Sequence, residues 1–504
     1  MKQRLFFLIS MLVSFWTYAV IDDTIRYELS FANRDQHIFK VNIRFKSQHL
    51  GVMDFKIPQW TPGYYQTLDF EKNISEIAAK NQENQEIEII KADKNTWRVP
   101  VEKGENITIS YVVKADVLFI AKPYINNEFA FIRPSGIFLF SEERKNDDCT
   151  IRFSDNPWKK TATALPQKNG IFVAHNTQEL LDSPILVGDI SDLGHFTVRG
   201  KPHYFLGRDL DDFDTKNMMA SLQKSVEQAT EMMQDIPYNS YTFISIGKGN
   251  GGIEQTNSTA FTLNGELYAQ EKGRQKLLNF LTHEYFHHFN IKRITPLELT
   301  PLNYSEKNRT NLLWVSEGLT VYYESILLNR AGIKTRSQML EEWRNKIEVY
   351  ENNEGKKYQT LAESSFYTWE DGPFGVKGKT ISYYEKGPLI GMLLDLKIRH
   401  NTKNKKSLDD VMRTLYWRFY KEEKRGFTEK ELKNICETLA QENLDDLFKY
   451  IYTLDAINYN HYFKLAGLEV FEENKDGKMQ YSIRRAKNTS KLQNMIFNDL
   501  FREK

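Results

Sequence analysis

The sequence predicts a chain of several domains, with an all-β, sandwich-like N-terminal domain followed by an α+β domain that ends in a helical lobe. Three observations carry this expectation. The 504 residues suffice for about three domains. Residues 21–200 are dominated by period-two alternation of apolar and polar side chains, the mark of half-buried strands. After Asp214 the apolar period lengthens to that of a helix, and helices prevail from residue 271 onward.

Taken in order, residues 1–19 have the form of a secretory signal peptide. Met1-Lys2-Gln3-Arg4 is a short basic start, and residues 5–16 are an apolar run too short to span a bilayer comfortably. Ala19 offers a small residue for cleavage, and no cysteine stands near it for a lipid anchor. Export to a periplasmic or extracellular space is the expectation, with no membrane association after cleavage. Residues 20–200 are assigned to the β domain. Ile25-Arg26-Tyr27-Glu28-Leu29-Ser30-Phe31 alternates, and Val41-Asn42-Ile43-Arg44-Phe45 and Ile107-Thr108-Ile109-Ser110-Tyr111-Val112-Val113 repeat the pattern between turns rich in Asn, Gly, Asp and Lys.

Met218, Met219, Leu222, Val226, Ala229, Met232 and Met233 then recur at helical spacing up to Pro237, a stripe expected in a core. Strands are expected over 241–246 and 259–263, around Gly249, Gly251 and Gly252. Residues 201–300 are assigned to the first part of the second domain, 301–455 to its helical lobe, and 456–504 to a C-terminal segment. The balance of 68 basic against 67 acidic residues gives no charge-based reason to expect nucleic acid or an anionic membrane as partner. Cys149 and Cys436 are the only cysteines; they fall in different expected domains and read as two free buried thiols.

The chemistry concentrates in His283-Glu284-Tyr285-Phe286-His287, preceded by an amphipathic helical run over 275–282. Residues four apart on a helix share a face, so His283 and His287 can hold one Zn²⁺ while Glu284 takes a proton from water. A catalytic zinc keeps three protein ligands and one open position. Glu317, in Trp314-Val315-Ser316-Glu317-Gly318 on an expected helix over 312–328, supplies the third. Glu324 lies two turns further along the same face and could fix the tautomer of a ligand histidine. His288 is one step round the helix and reads as a packing residue.

These strings, extended to His283-Glu284-Tyr285-Phe286-His287-His288-Phe289-Asn290-Ile291-Lys292-Arg293 and Leu313-Trp314-Val315-Ser316-Glu317-Gly318-Leu319-Thr320-Val321-Tyr322-Tyr323, resemble the M61 family of glycyl-aminopeptidase-type zinc peptidases. More distantly they are similar to the M1 aminopeptidases and leukotriene A4 hydrolase. Ile57-Pro58-Gln59-Trp60-Thr61-Pro62-Gly63-Tyr64-Tyr65 resembles the Trp-x-Pro-Gly signature of the family's β domain, and Asp182-Ser183-Pro184-Ile185-Leu186-Val187-Gly188, Gly251-Gly252-Ile253-Glu254-Gln255 and Tyr383-Tyr384-Glu385-Lys386-Gly387 match too. The resemblance covers about residues 22–465.

The resemblance implies a thermolysin-like catalytic domain behind the β domain. It implies Tyr384, rather than Tyr383, as donor to the oxyanion. It makes Gly251 and Gly252 part of an edge strand beside a peptide substrate, and Glu254 the residue that binds its free α-amine. Gln255 departs from the family, where His is usual, and this loosens any statement about the preferred N-terminal residue. Family members commonly end in a PDZ domain; only about forty residues follow Gly467 and no such loop and helix are recognisable, so that domain is expected to be absent or a remnant. The implied function is a secreted zinc aminopeptidase acting on peptides with small N-terminal residues, Gly or Ala. The alternatives are a zinc endopeptidase of the same fold and an inactive peptide-binding protein.

Overall fold

The computed structural model describes residues 24–210 and 213–503; the expected signal peptide, 1–19, lies outside the described residues. The alternating segments form the predicted β domain. Ile38–Lys46 and Asn106–Lys114 pair antiparallel at the centre of an eight-stranded sheet, and Ile25–Ser30 extends it. Alternate residues such as Tyr27, Phe39, Ile43 and Ile109 point inward. They pack with Phe55 and Trp97 of a three-stranded sheet and with Phe138 into one apolar core. Cys149 is buried there and Cys436 in the helical lobe; both thiols are free.

The catalytic sheet has five strands, β1 (Ser191–Val198), β2 (Lys201–Gly207), β3 (Tyr241–Ser245), β4 (Gly251–Glu254) and β5 (Ser258–Thr262). Their order is β1-β2-β3-β5-β4, which leaves β4 at the edge, antiparallel to β5. Because β1 pairs with β2, this sheet begins at Ser191 rather than at the expected boundary of 201. Composition could not reveal this, since β1 continues the same alternation and only its pairing partner changes.

Five helices matter for the site: α1 (Thr215–Met233), α2 (Glu271–Phe286), α3 (Leu319–Arg330), α4 (Arg336–Glu351) and α5 (Tyr383–Asn401). The Met stripe of α1 is buried, as its spacing predicts. α2 lies between α1 and α3, with Leu277, Leu278, Leu281 and Tyr285 buried. The expected helix over 312–328 is not uniform: Trp314–Gly318 is a π turn, and α3 begins at Leu319. The C-terminal segment forms a two-stranded hairpin, Leu468–Lys475 with Lys478–Arg485, and a helix, Lys491–Leu500. Leu468, Tyr481, Phe497 and Leu500 join the core of the helical lobe. Among the described residues no helix is long and apolar enough to cross a membrane.

Candidate active site

α2 carries His283 and His287 on one face, His287 being the residue that caps its C-terminus. Glu317 arrives from the π turn, a local insertion that re-aims side chains within a helix. Close backbone contact fixes that turn against α5. A Cβ on Gly318 would lie 2.6 Å from Gly387 Cα, and one on Gly387 would lie 2.8 Å from Gly318 Cα. The glycines of the two downstream motifs are therefore needed by each other.

Three donor atoms converge. His287 Nε2 lies 2.9 Å from His283 Nε2, and Glu317 Oε2 lies 3.1 Å from His287 Nε2 and 3.7 Å from His283 Nε2. A tetrahedral zinc with ligands at about 2.0–2.2 Å holds neighbouring donors roughly 3.3 Å apart, so the cluster fits one such ion. The outer nitrogens agree: His283 Nδ1 donates to Glu324 Oε2 (3.1 Å) and His287 Nδ1 to the Asn290 carbonyl (2.9 Å). With those protons so assigned, both Nε2 lone pairs face the shared centre. Asn279 Nδ2 holds the other oxygen of Glu324 at 3.1 Å.

Electrostatics point the same way. Burial works against a charged His283 ring, but hydrogen bonds to Glu317 and Glu324 overcome it and hold the ring up to about 10. Burial would raise the Glu317 carboxyl, yet the two imidazoles keep it well below the ordinary carboxylate range. The cluster favours positive charge at its centre, which a divalent cation supplies.

Glu284 is buried beside this centre. Burial pushes its carboxyl up to about 7 against the pull of the imidazoles, in the range that suits proton transfer near neutrality. Thr259 Oγ1 donates to its Oε2 at 3.3 Å, and a Cβ on Gly252 would lie 2.7 Å from its Cδ. The bare backbone of β4 thus makes room for the base. Tyr384 Oη donates to Glu317 Oε2 at 2.8 Å, whereas Tyr383, 1 % exposed, pairs its hydroxyl with Thr368 Oγ1 at 3.1 Å. Of the two tyrosines, Tyr384 is the one whose hydroxyl reaches the cluster.

Glu254 ends β4. A Cβ on Gly63 would lie 2.6 Å from its Oε2, so the Trp-x-Pro-Gly turn of the β domain is pressed against this carboxylate. Lys292 Nζ stands 3.8 Å from Glu254 Oε1 and donates to Asp182 Oδ1 at 2.8 Å. Ile291, a β-branched residue at φ +92°, makes the strained turn that sends the chain back toward this group. Gly251 and Gly252 line a cleft of about 1270 Å³ with His283, Glu284 and Tyr384.

Sequence reasoning missed Thr259, Asn290, Asp182 and Lys292 as members of the site. Asn290 and Lys292 stand inside the motif string and Asp182 inside a quoted match, but nothing local says which way they turn. Asn290 Nδ2 donates to the carbonyls of Val315 and Ser316 and so ties the Glu317 turn to α2. Gln255, the departure from the family pattern, folds its amide back to its own strand, donating to the Ile253 carbonyl at 2.6 Å. His288 is fully buried among Tyr238, Tyr241 and Tyr285, as expected of a packing residue.

Fold and centre together define a metallopeptidase in which an HExxH helix supplies two histidines and a following helix a glutamate. Two models of one family match, the Peptidase M61 N-terminal domain over residues 26–189 and M61 glycyl aminopeptidase over 276–390, together more than half of the chain. The chain belongs to the M61 peptidase family. No curated protein sequence matches it. Among solved structures, an aminopeptidase N family protein from Idiomarina loihiensis superposes with a TM-score of 0.84 at 26 % identity, over 90 % of this chain and 80 % of that one. An M1 zinc metallopeptidase from Deinococcus radiodurans shares the fold with a TM-score of 0.53 at 12 % identity, over 86 % of this chain and 94 % of that one. Native yeast LTA4 hydrolase does so with 0.52 at 13 %, over 88 % and 71 %.

Proposed function

We propose that this protein is an exported zinc aminopeptidase that removes residues one at a time from the free N-terminus of peptides. His283, His287 and Glu317 would hold the Zn²⁺. The observation that carries the reading is the end of β4, where the Gly63 turn of the β domain abuts the Glu254 carboxylate. A peptide adding to the free edge of β4 in the antiparallel sense would bring its ammonium to Glu254 and its C-terminal side to the open cleft beside Gly251. The metal, when bound, acidifies water and polarises the scissile carbonyl. Glu284 takes the proton from the attacking water and delivers it to the leaving amine. Tyr384 donates its hydroxyl to the oxygen on which negative charge develops. Glu324 and the Asn290 carbonyl keep both imidazoles in the tautomer that ligation needs. An N-terminal glycine is the substrate residue that the M61 glycyl aminopeptidase match supports; alanine rests on the sequence resemblance, and export on the form of residues 1–19.

One observation favours an endopeptidase instead. Lys292 already brings an ammonium to 3.8 Å from Glu254, so that carboxylate has a cationic neighbour without substrate. Rates on a panel of dipeptides with free and with N-acetylated termini, measured with and without chelator, separate the two readings. The aminopeptidase cleaves the free-amine set only, and Glu254→Ala narrows that preference. Equal wild-type rates on both sets select the endopeptidase.

A further inference from the structure

Phe374 is the most exposed of the large apolar side chains among the described residues, at 77 %. It lines the cleft that also holds His283, Glu284 and Tyr384. Its ring leans over that of Tyr384, centroids 5.6 Å apart at 31°, and the Tyr384 ring in turn lies 6.1 Å from that of His283. The three rings form a shelf leading from the metal ligands into the cleft. The shelf is held firmly. Ser382 Oγ donates to the Pro373 carbonyl at 2.6 Å and accepts from the Tyr384 amide at 3.1 Å, so one side chain ties the residue before Phe374 to the start of α5. A Cβ on Gly375 would lie 2.7 Å from the Ile381 carbonyl oxygen, which presses the turn against the same helix start. Phe280 and Val321 add apolar lining, and Gly251 and Gly252 bring no side chains to the β4 side.

We infer that Phe374 walls the subsite for the first residue on the leaving-group side of the scissile bond and selects an apolar side chain there. The inference rests on the proposed reading for its direction: with the amine at Glu254, a strand antiparallel to β4 carries its leaving-group residues toward Gly251, into this cleft. A phenyl ring held open to water beside the reacting centre gains by covering an apolar side chain and gains nothing from glycine or a carboxylate. The test is kcat/KM of the zinc-loaded enzyme on Ala-X-Ala tripeptides with X as Gly, Asp, Leu or Phe, for wild type, Phe374→Ala and Phe374→Leu. Wild type should favour Leu and Phe over Gly and Asp by tenfold or more. Phe374→Ala should cut that ratio about tenfold, and Phe374→Leu should restore most of it. A wild type indifferent to X, or a Phe374→Ala enzyme that loses rate equally on all four, overturns the inference. Equal wild-type rates on the free and N-acetylated peptides overturn the aminopeptidase reading instead.

Discussion

At the residue scale the centre divides its labour, and substitution should separate the parts. His287→Ala and Glu317→Ala remove donors of a three-atom set spaced for one ion, so both should emerge from purification depleted of zinc. Glu284→Gln leaves the donors intact and should retain zinc while turnover falls by several orders of magnitude; metal analysis beside activity on a free-amine dipeptide reads both. The two adjacent tyrosines should differ as their hydroxyls do. Tyr384→Phe removes the group that reaches Glu317 Oε2, so kcat should drop roughly a hundredfold with little change in KM. Tyr383→Phe, which loses a bond to Thr368 inside the core, should cost stability more than rate. A reversed outcome would mean that Tyr383 is the donor. Much of this scale was legible in the sequence. The i, i+4 spacing of the histidines is a statement about one helix face, and that helix exists; the i, i+7 spacing of Glu317 and Glu324 instead crosses from the π turn into α3.

At the element scale two supports carry the centre. The π turn and α5 meet at Gly318 and Gly387 with no space for a methyl group. Gly318→Ala should therefore destabilise by on the order of 1–3 kcal/mol, and zinc affinity should fall with it, since the same turn aims Glu317; thermal unfolding and zinc titration check the pair of effects. The second support lies beneath α2, where His203 Nε2 meets Tyr238 Oη at 2.7 Å and Tyr238 Oη meets Tyr285 Oη at 2.5 Å. Burial lowers the His203 ring to about 4, against its backbone hydrogen bonds to Lys201 and Phe196. Its folded pKa lies below its unfolded value, so the unfolded chain binds the extra proton. The stabilisation is complete above about pH 6.5 and drains away as pH falls toward about 4, on the order of 3 kcal/mol in all. His203→Gln should flatten the stability profile over that window, as measured by denaturant unfolding. Neither support was legible beforehand. Helical periodicity does not distinguish a π turn from an α turn, and the three-residue chain under α2 joins β2, the loop before β3 and α2 only after folding.

At the scale of the whole molecule the sequence yielded both architectures and the meaning of their change in period. It did not reveal that the β domain abuts the end of the edge strand β4. Trp60-Thr61-Pro62-Gly63 stands out as a motif, but its purpose appears only where Gly63, at φ +88°, abuts Glu254 at the end of β4. Gly63→Ala would strain the turn and push that carboxylate aside. KM for free-amine peptides should rise several-fold and the margin over N-acetylated ones should shrink, with zinc content unchanged; an unaltered margin would separate the turn from amine recognition. On the proposed reading this contact also distributes heredity unevenly along the chain. The machinery that breaks the bond is inherited with the second domain, whereas the measure of where the break falls is inherited half with each. A chimera that took residues 24–190 from a distant relative would keep the reaction and could acquire a different ruler, so cleavage position in this fold can evolve by exchange of a domain that holds none of the metal's ligands.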